Sequence, residues 1–192
     1  MELSAPGLQN AIVRLDPITE AHREVIFDSE IEDSIWKWMP ALRGGSTLKN
    51  YFKFVLDLQK SGAMATFVLF RQSDGAFAGV TGFNEINKIH RRVRNALTWH
   101  PPSLTSPDLY LAGQLAMIER AYDWRAKRIE WQVNTRNDYI LDGLSAIRPT
   151  QEAVFRNFER NADGVWVDKI VFSLTRPEMT GVIARLKQSL TS

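Results

Sequence analysis

The chain has no cysteine and only three histidines in 192 residues. Disulfides, thiol nucleophiles and thiolate metal sites are therefore excluded. His22, His90 and His100 are scattered rather than spaced as ligands, so no metal is expected. Long apolar runs are also missing: none approaches the ~20 residues of a membrane helix. The opening Met1 to Gly7 lacks the basic start and apolar block of a signal peptide, and a soluble, cytoplasmic protein without a membrane partner is expected. Charge of one sign is scarce too. Lys and Arg number 24 against 22 Asp and Glu, leaving a net charge of +2, which is too small an excess to point to nucleic acid. One local exception is His90 to Arg94, a basic run between two strand-like segments. It reads either as a solvated hairpin turn that protects a sheet edge or as a lure for an anionic ligand.

What is present is ordinary globular material, 44% hydrophobic and 24% charged. Residues 1–192 show no repeat, low-complexity segment or linker, so one domain is expected. Alternation predicts strands over Ala11 to Leu15, Ala65 to Phe70, Ala76 to Val80 running on through Glu85, Ala96 to Trp99, Arg128 to Val133, and Val165 to Leu174. Ser73-Asp74-Gly75 and Asn161 to Gly164 are hairpin turns, which join antiparallel neighbours. Helices are predicted after Thr19, with Ala21, Val25 and Ile26 facing inward, and after the Gly44-Gly45 loop, capped by Ser46 or Thr47. A third begins at Ser106-Pro107 with Leu111, Leu115, Ile118 and Tyr122 on one face. Asn137 caps a fourth carrying Ile140, Leu141, Leu144 and Ile147, and Pro177 opens a fifth. The fold class is mixed α/β with a mostly antiparallel, twisted sheet. A doubly wound parallel sheet is the alternative, and the two hairpins oppose it.

Arg128 through Asn137, followed by Ile147 through Arg156, resembles the C-terminal half of the GCN5-related N-acetyltransferase superfamily in its RimJ/RimL-like branch. Gly79 to Phe83, Trp99 with Pro102, and the segment Ile35-Trp36-Lys37-Trp38-Met39-Pro40 fit the same pattern in the same order. The resemblance implies acetyl-CoA as co-substrate and an amine acceptor, either a small molecule or a protein N-terminus. A homodimer is compatible with it.

By that resemblance Thr98 and Trp99 line the pantetheine arm with their backbone, and Asn137 touches the cofactor beyond it, although a plain helix cap also explains Asn137. Thr105, Ser106, Asp108 and Leu109 stand where the acyl-CoA loop holds the diphosphate. Tyr139 is the candidate proton donor to the departing sulfur, and Glu85 the candidate base for the amine, acting through water. Trp36, Trp38 and Asn84 are candidate walls for the acceptor, with core packing as the competing role for the tryptophans. The sequence departs from its family where chemistry is expected. Thr105-Ser106-Pro107-Asp108 holds no glycine, Pro107 deletes an N–H donor, and Asp108 sets a carboxylate at an anion site. Ile140 stands where the family has serine, and Ala153 replaces another glycine. An active transferase and a non-catalytic binding protein on the same fold both remain open.

Overall fold

The computed structural model describes residues 1, 3–29, 33–40, 42 and 45–190; Ile31 and the loop glycine Gly44 lie outside them. Eight strands are formed: β1 (Leu8–Gln9), β2 (Val13–Pro17), β3 (Ala65–Arg71), β4 (Phe77–Asn87), β5 (Arg92–Trp99), β6 (Arg128–Asn134), β7 (Thr150–Arg160) and β8 (Trp166–Thr175). The helices are α1 (Arg23–Phe27), α2 (Leu48–Lys60), α3 (Pro107–Asp123), α4 (Asp138–Ile147) and α5 (Arg176–Ser189). One sheet runs in the order β1-β2-β3-β4-β5-β6-β8-β7.

Both hairpins join antiparallel neighbours, β3 with β4 and β7 with β8. Among the described residues the sole parallel pair is β5 with β6, because α3 carries the chain between them, so the doubly wound alternative is excluded. That pair is short. It covers Arg92 with Arg128, Val93 with Ile129 and Arg94 with Glu130, after which the strands part. A bulge causes the parting. Between β4 and β5 the register passes from Gly82 opposite Ala96 to Val80 opposite Trp99, so β5 holds one extra residue there, and Leu97 takes a positive φ of 57°. Such a bulge bends its strand and deepens the local twist. Gly79 makes the close approach feasible, since a Cβ there would lie 2.1 Å from the Trp99 carbonyl oxygen.

Helices cover both faces of the sheet. Leu115, Met117, Ile129, Trp131, Leu144 and Met179 belong to one core, while Ile26, Phe52, Val55, Val68, Val80 and Trp99 belong to the other. The periodicity of α3 understates its burial. Leu115 and Ile118 are buried as the stripe predicts, but so are Met117 and Arg120 on other faces, while Leu111 and Tyr122 are only half-buried. The N-terminal segment crosses α3 and is held by it: Arg120 donates to the Ser4 and Pro6 carbonyls, and the Trp124 indole donates to Ser4. After Thr19 the chain makes a 3-10 turn before α1, which leaves Ala21 exposed where a continuous helix would have buried it.

Candidate active site

The fork between β5 and β6 opens into a cavity of about 390 Å³. Because the ladder ends at Arg94 and Glu130, side chains fix the fork instead. The Asn95 amide donates to Thr81 Oγ1 at 3.1 Å and to the Gly82 carbonyl at 3.1 Å, while its oxygen accepts from Trp131 Nε1 at 3.0 Å. The same indole N–H also points to Gln114 Oε1 at 2.9 Å, and the Thr81 and Thr98 hydroxyls share a bond of 2.8 Å. This buried network ties β4, β5, β6 and α3 together, and a fully satisfied network of that kind holds one geometry. Arg94, Glu130, Arg128 and Glu152 continue it as a chain of ion pairs along the sheet.

Three aromatic rings form the cavity wall below α3 and α4. Tyr110 and Tyr139 meet edge to face at 5.7 Å, and His100 packs against them at 6.3 Å and 5.9 Å. His100 Nδ1 lies 2.6 Å from the Ala78 carbonyl oxygen, which can only accept, so Nδ1 carries a proton. Burial outweighs that bond and pushes the imidazole pKa down to about 4. Burial also pushes the Tyr139 phenol up to about 12 and Tyr110 higher still. Among the described residues neither phenol oxygen has a hydrogen-bond partner.

The other side of the fork is polar at its floor and apolar at its rim. Trp38, Met39 and Pro40 reach the groove because their segment docks on the β7–β8 turn: Ala162 N–H donates to the Met39 carbonyl at 3.0 Å and Pro40 bridges Asn161. Arg94 and an ion pair between Lys169 and Glu159 line the floor. The Asn84 side-chain oxygen is buried there without a partner among the described residues.

The start of α3 is chemically crowded. Ser106 Oγ accepts from the Leu109 N–H at 3.1 Å, the Tyr110 N–H is held by the Ser106 carbonyl at 3.1 Å, and Pro107 has none to offer. Thr105 donates its hydroxyl to the Pro102 carbonyl at 3.0 Å. A helix N-terminus normally offers several unpaired N–H groups to an anion. Here the N–H groups of Thr105, Ser106 and Asp108 and the Ser106 hydroxyl proton are what remain among the described residues.

Of the residues singled out from the sequence, Thr98, Trp99, Thr105, Asn137, Tyr139, Trp38 and Asn84 line the cavity together. Asn137 also caps α4, accepting from Ile140. Trp36 is instead a core residue, packed edge to face on Tyr51 at 6.4 Å. Ser106, Asp108 and Leu109 stand at the α3 start outside the lining, with the Leu109 side chain buried in the core. Glu85 is also outside it. A second β4 irregularity between Asn84 and Asn87 gives Glu85 a positive φ of 47°, breaking the alternation of the strand and leaving its carboxylate exposed on Arg94. The carboxylate that does line the cavity is Glu159, which the sequence pattern missed along with Lys169, His100 and Tyr110. Arg94 belonged to the basic run, yet it lies in the strand and is mostly covered, while the turn before it carries His90 and Arg91.

The fold is shared with solved acetyltransferases. A GCN5-related N-acetyltransferase from Brucella melitensis superposes with a TM-score of 0.85, at 16% identity over 98% of this chain and 86% of its own. Mycobacterium smegmatis RimJ, solved in complex with CoA-disulfide, gives 0.79 at 18% identity over 95% and 92%. Spermidine N-acetyltransferase from Vibrio cholerae, in complex with CoA and spermine, gives 0.74 at 12% identity over 89% and 99%. At such identities the likeness is one of fold. No protein-family model matches the sequence, and no curated protein matches it. No helix among the described residues is long and apolar enough to cross a membrane, and no group of three potential metal ligands occurs among them.

Proposed function

We propose that the protein is an N-acetyltransferase that uses acetyl-CoA to acetylate a primary amine, on a small molecule or a protein N-terminus. The observation that carries this reading is the fork itself: parallel pairing stops at Arg94 and Glu130, and the freed edges of both strands face a cavity with polar groups on either side. Residues 95–99 of β5 run on past the last rung, and an extended, amide-bearing arm can pair with such an edge. The acyl end of acetyl-CoA fits the fork, whereas its diphosphate has few donors at α3. Acetyl-CoA would supply an activated acyl thioester; the chain has to orient the amine, take its proton and protonate the departing sulfur.

In this reading Thr98, Trp99, Thr105 and Asn137 position the donor. Tyr139 is the proton donor, because its phenol lines the cavity without a partner and its raised pKa keeps it protonated. Asn84 offers its unpartnered oxygen to an amine N–H, and Trp38 with Met39 and Pro40 forms the apolar wall of the acceptor. For the amine's proton, Glu159 replaces Glu85 as the better-placed carboxylate, relayed through water because Lys169 already holds it. Calorimetric titration with acetyl-CoA, followed by acetylation of an amine panel that includes spermidine and short peptides, tests the proposal. Saturable binding with acetyl transfer supports it; absence of binding at millimolar acetyl-CoA sinks it.

The α3 start favours a second reading, a non-catalytic protein that keeps the fold and uses the groove for binding. Committed N–H groups and the carboxylate of Asp108 carry it. Binding of the amine panel without acetyl-CoA affinity would select this reading.

A further inference from the structure

We propose that Tyr110 is a second hydrogen-bond donor to the acyl group, holding the thioester carbonyl oxygen while Tyr139 serves the sulfur. The inference rests on the transferase reading and assigns a residue that the family's sequence pattern does not mark.

Tyr110 is 1% exposed, lines the cavity, and has a hydroxyl with no partner. Buried polar atoms are nearly always paired, and a buried phenol left alone is costly, so an unpaired one at a cavity wall points to a ligand. Of the other polar groups on that side, the Thr98 hydroxyl is committed to Thr81, Asn95 to Trp131 and Thr105 to Pro102, and the Asn137 oxygen accepts from the Ile140 N–H. Among the described residues the two phenol oxygens are the atoms of that wall that are buried without a hydrogen-bond partner.

The ring of Tyr110 is not a casual filler. Helix α4 accommodates it with Gly143, where a Cβ would fall 2.2, 2.4 and 2.9 Å from three of its ring atoms. Glycine is a poor helix residue, and here a side chain on the neighbouring helix requires it. His100 and Tyr139 hold the ring edge to face from two further directions. A side chain fixed on three sides keeps its hydroxyl in one place, which is what a preorganised donor needs.

The chemistry then divides. The amine nitrogen bonds to the carbonyl carbon, the carbon–sulfur bond breaks, the amine gives its proton through water to Glu159, and the thiolate takes a proton from Tyr139. Negative charge grows on the carbonyl oxygen as the amine attacks, and a donor placed there lowers the barrier. Tyr110 keeps its proton throughout, because burial holds its phenol far above the usual range.

Tyr110→Phe tests this. Removing an unpartnered hydroxyl should leave the denaturation midpoint unchanged or raised. Affinity for acetyl-CoA should fall about 3- to 10-fold while affinity for CoA, which lacks the carbonyl, stays within about 2-fold. Turnover should fall by about 10-fold or more with the basic limb of the pH profile unmoved, whereas Tyr139→Phe should alter that limb. A lowered midpoint, equal losses for CoA and acetyl-CoA, or no change in binding and turnover would each overturn the inference while leaving the transferase reading intact. Wild-type protein that binds neither ligand would overturn both.

Discussion

Arg94 donates its Nε–H to Glu130 Oε1 at 2.9 Å, directly across the last residue pair that β5 and β6 share. A charged pair therefore rivets the sheet at the point where its ladder ends. Glu130 also accepts from Arg128, and Arg94 reaches Glu85 as well. Removing one partner of such a buried pair leaves uncompensated charge. In Glu130→Ala the Arg94 and Arg128 guanidinium groups would each keep one more exposed partner, Glu85 and Glu152, and we expect a loss of about 1–3 kcal/mol. Urea denaturation checks it; a loss under about 1 kcal/mol would mean that solvent screens the network.

Leu115 on α3 and Leu144 on α4 are 3% and 1% exposed and belong to the same core. Truncating either to alanine should cost about 2–5 kcal/mol, the usual range for a buried leucine. Equilibrium denaturation of both variants decides, and an unaffected midpoint would contradict the assignment of that helix face to the core.

Gly143→Ala forces the Tyr110 ring to move, since the added Cβ would overlap it. Overpacking of this kind costs about 1–3 kcal/mol. The cost should vanish or reverse in a Tyr110→Leu background, where alanine's helix propensity is worth up to about 1 kcal/mol. A double-mutant cycle measures the coupling. Additive effects would show that the two side chains are not in contact.

Stability should depend on pH at both ends. His100 has a folded pKa pushed down to about 4 from 6.5, so below pH 6.5 the unfolded chain binds the extra proton and the folded one does not. Its contribution is complete above 6.5 and is lost as pH falls toward 4. The loss is on the order of 3 kcal/mol at about 1.4 kcal/mol per pKa unit. The three buried phenols of Tyr51, Tyr110 and Tyr139 act in the opposite sense: their contribution is present below pH 10 and is lost as pH rises through 10 toward 12 and beyond. Thermal melts between pH 4 and 7 on wild type and His100→Gln should show a steeper acid loss for wild type; parallel curves would exonerate His100.

Asp108 stands on the first turn of α3, exposed, beside the Ser106 hydroxyl that remains to meet a diphosphate. A carboxylate within a few ångströms of a phosphate opposes binding by about 1–4 kcal/mol, depending on the effective dielectric. Asp108→Gly should therefore tighten acetyl-CoA binding despite loosening the helix start. Calorimetric dissociation constants test it, and unchanged tight binding would place the phosphates elsewhere.

Local order in this chain was legible because its signals are local. Thr47, Ser106 and Asn137 cap the helices that follow them, the Asp74-Gly75 and Asp163-Gly164 turns close their hairpins, and Pro102 lies just beyond the end of β5. Thr98, Trp99 and Asn137, which the resemblance rather than any local signal singled out, stand at strand and helix ends and line the cavity. Glu85 lies outside the cavity for a reason that alternation does not record. Glu85 follows strand alternation only if β4 is regular, and an irregularity with positive φ turns it out to Arg94.

The amino-acid order by itself thus determined the periodicities, caps and turns, and through them a mostly antiparallel sheet with one crossover. Which phenols face the cavity, which carboxylate reaches the groove and which α3 N–H groups stay available were decided only by tertiary structure. Each depends on contacts between segments far apart in sequence: Tyr110 needs Gly143, Glu159 needs Lys169, and the fork needs Asn95 to meet Trp131. Periodicity records which face of an element is apolar, but not which distant side chain will come to lie against it.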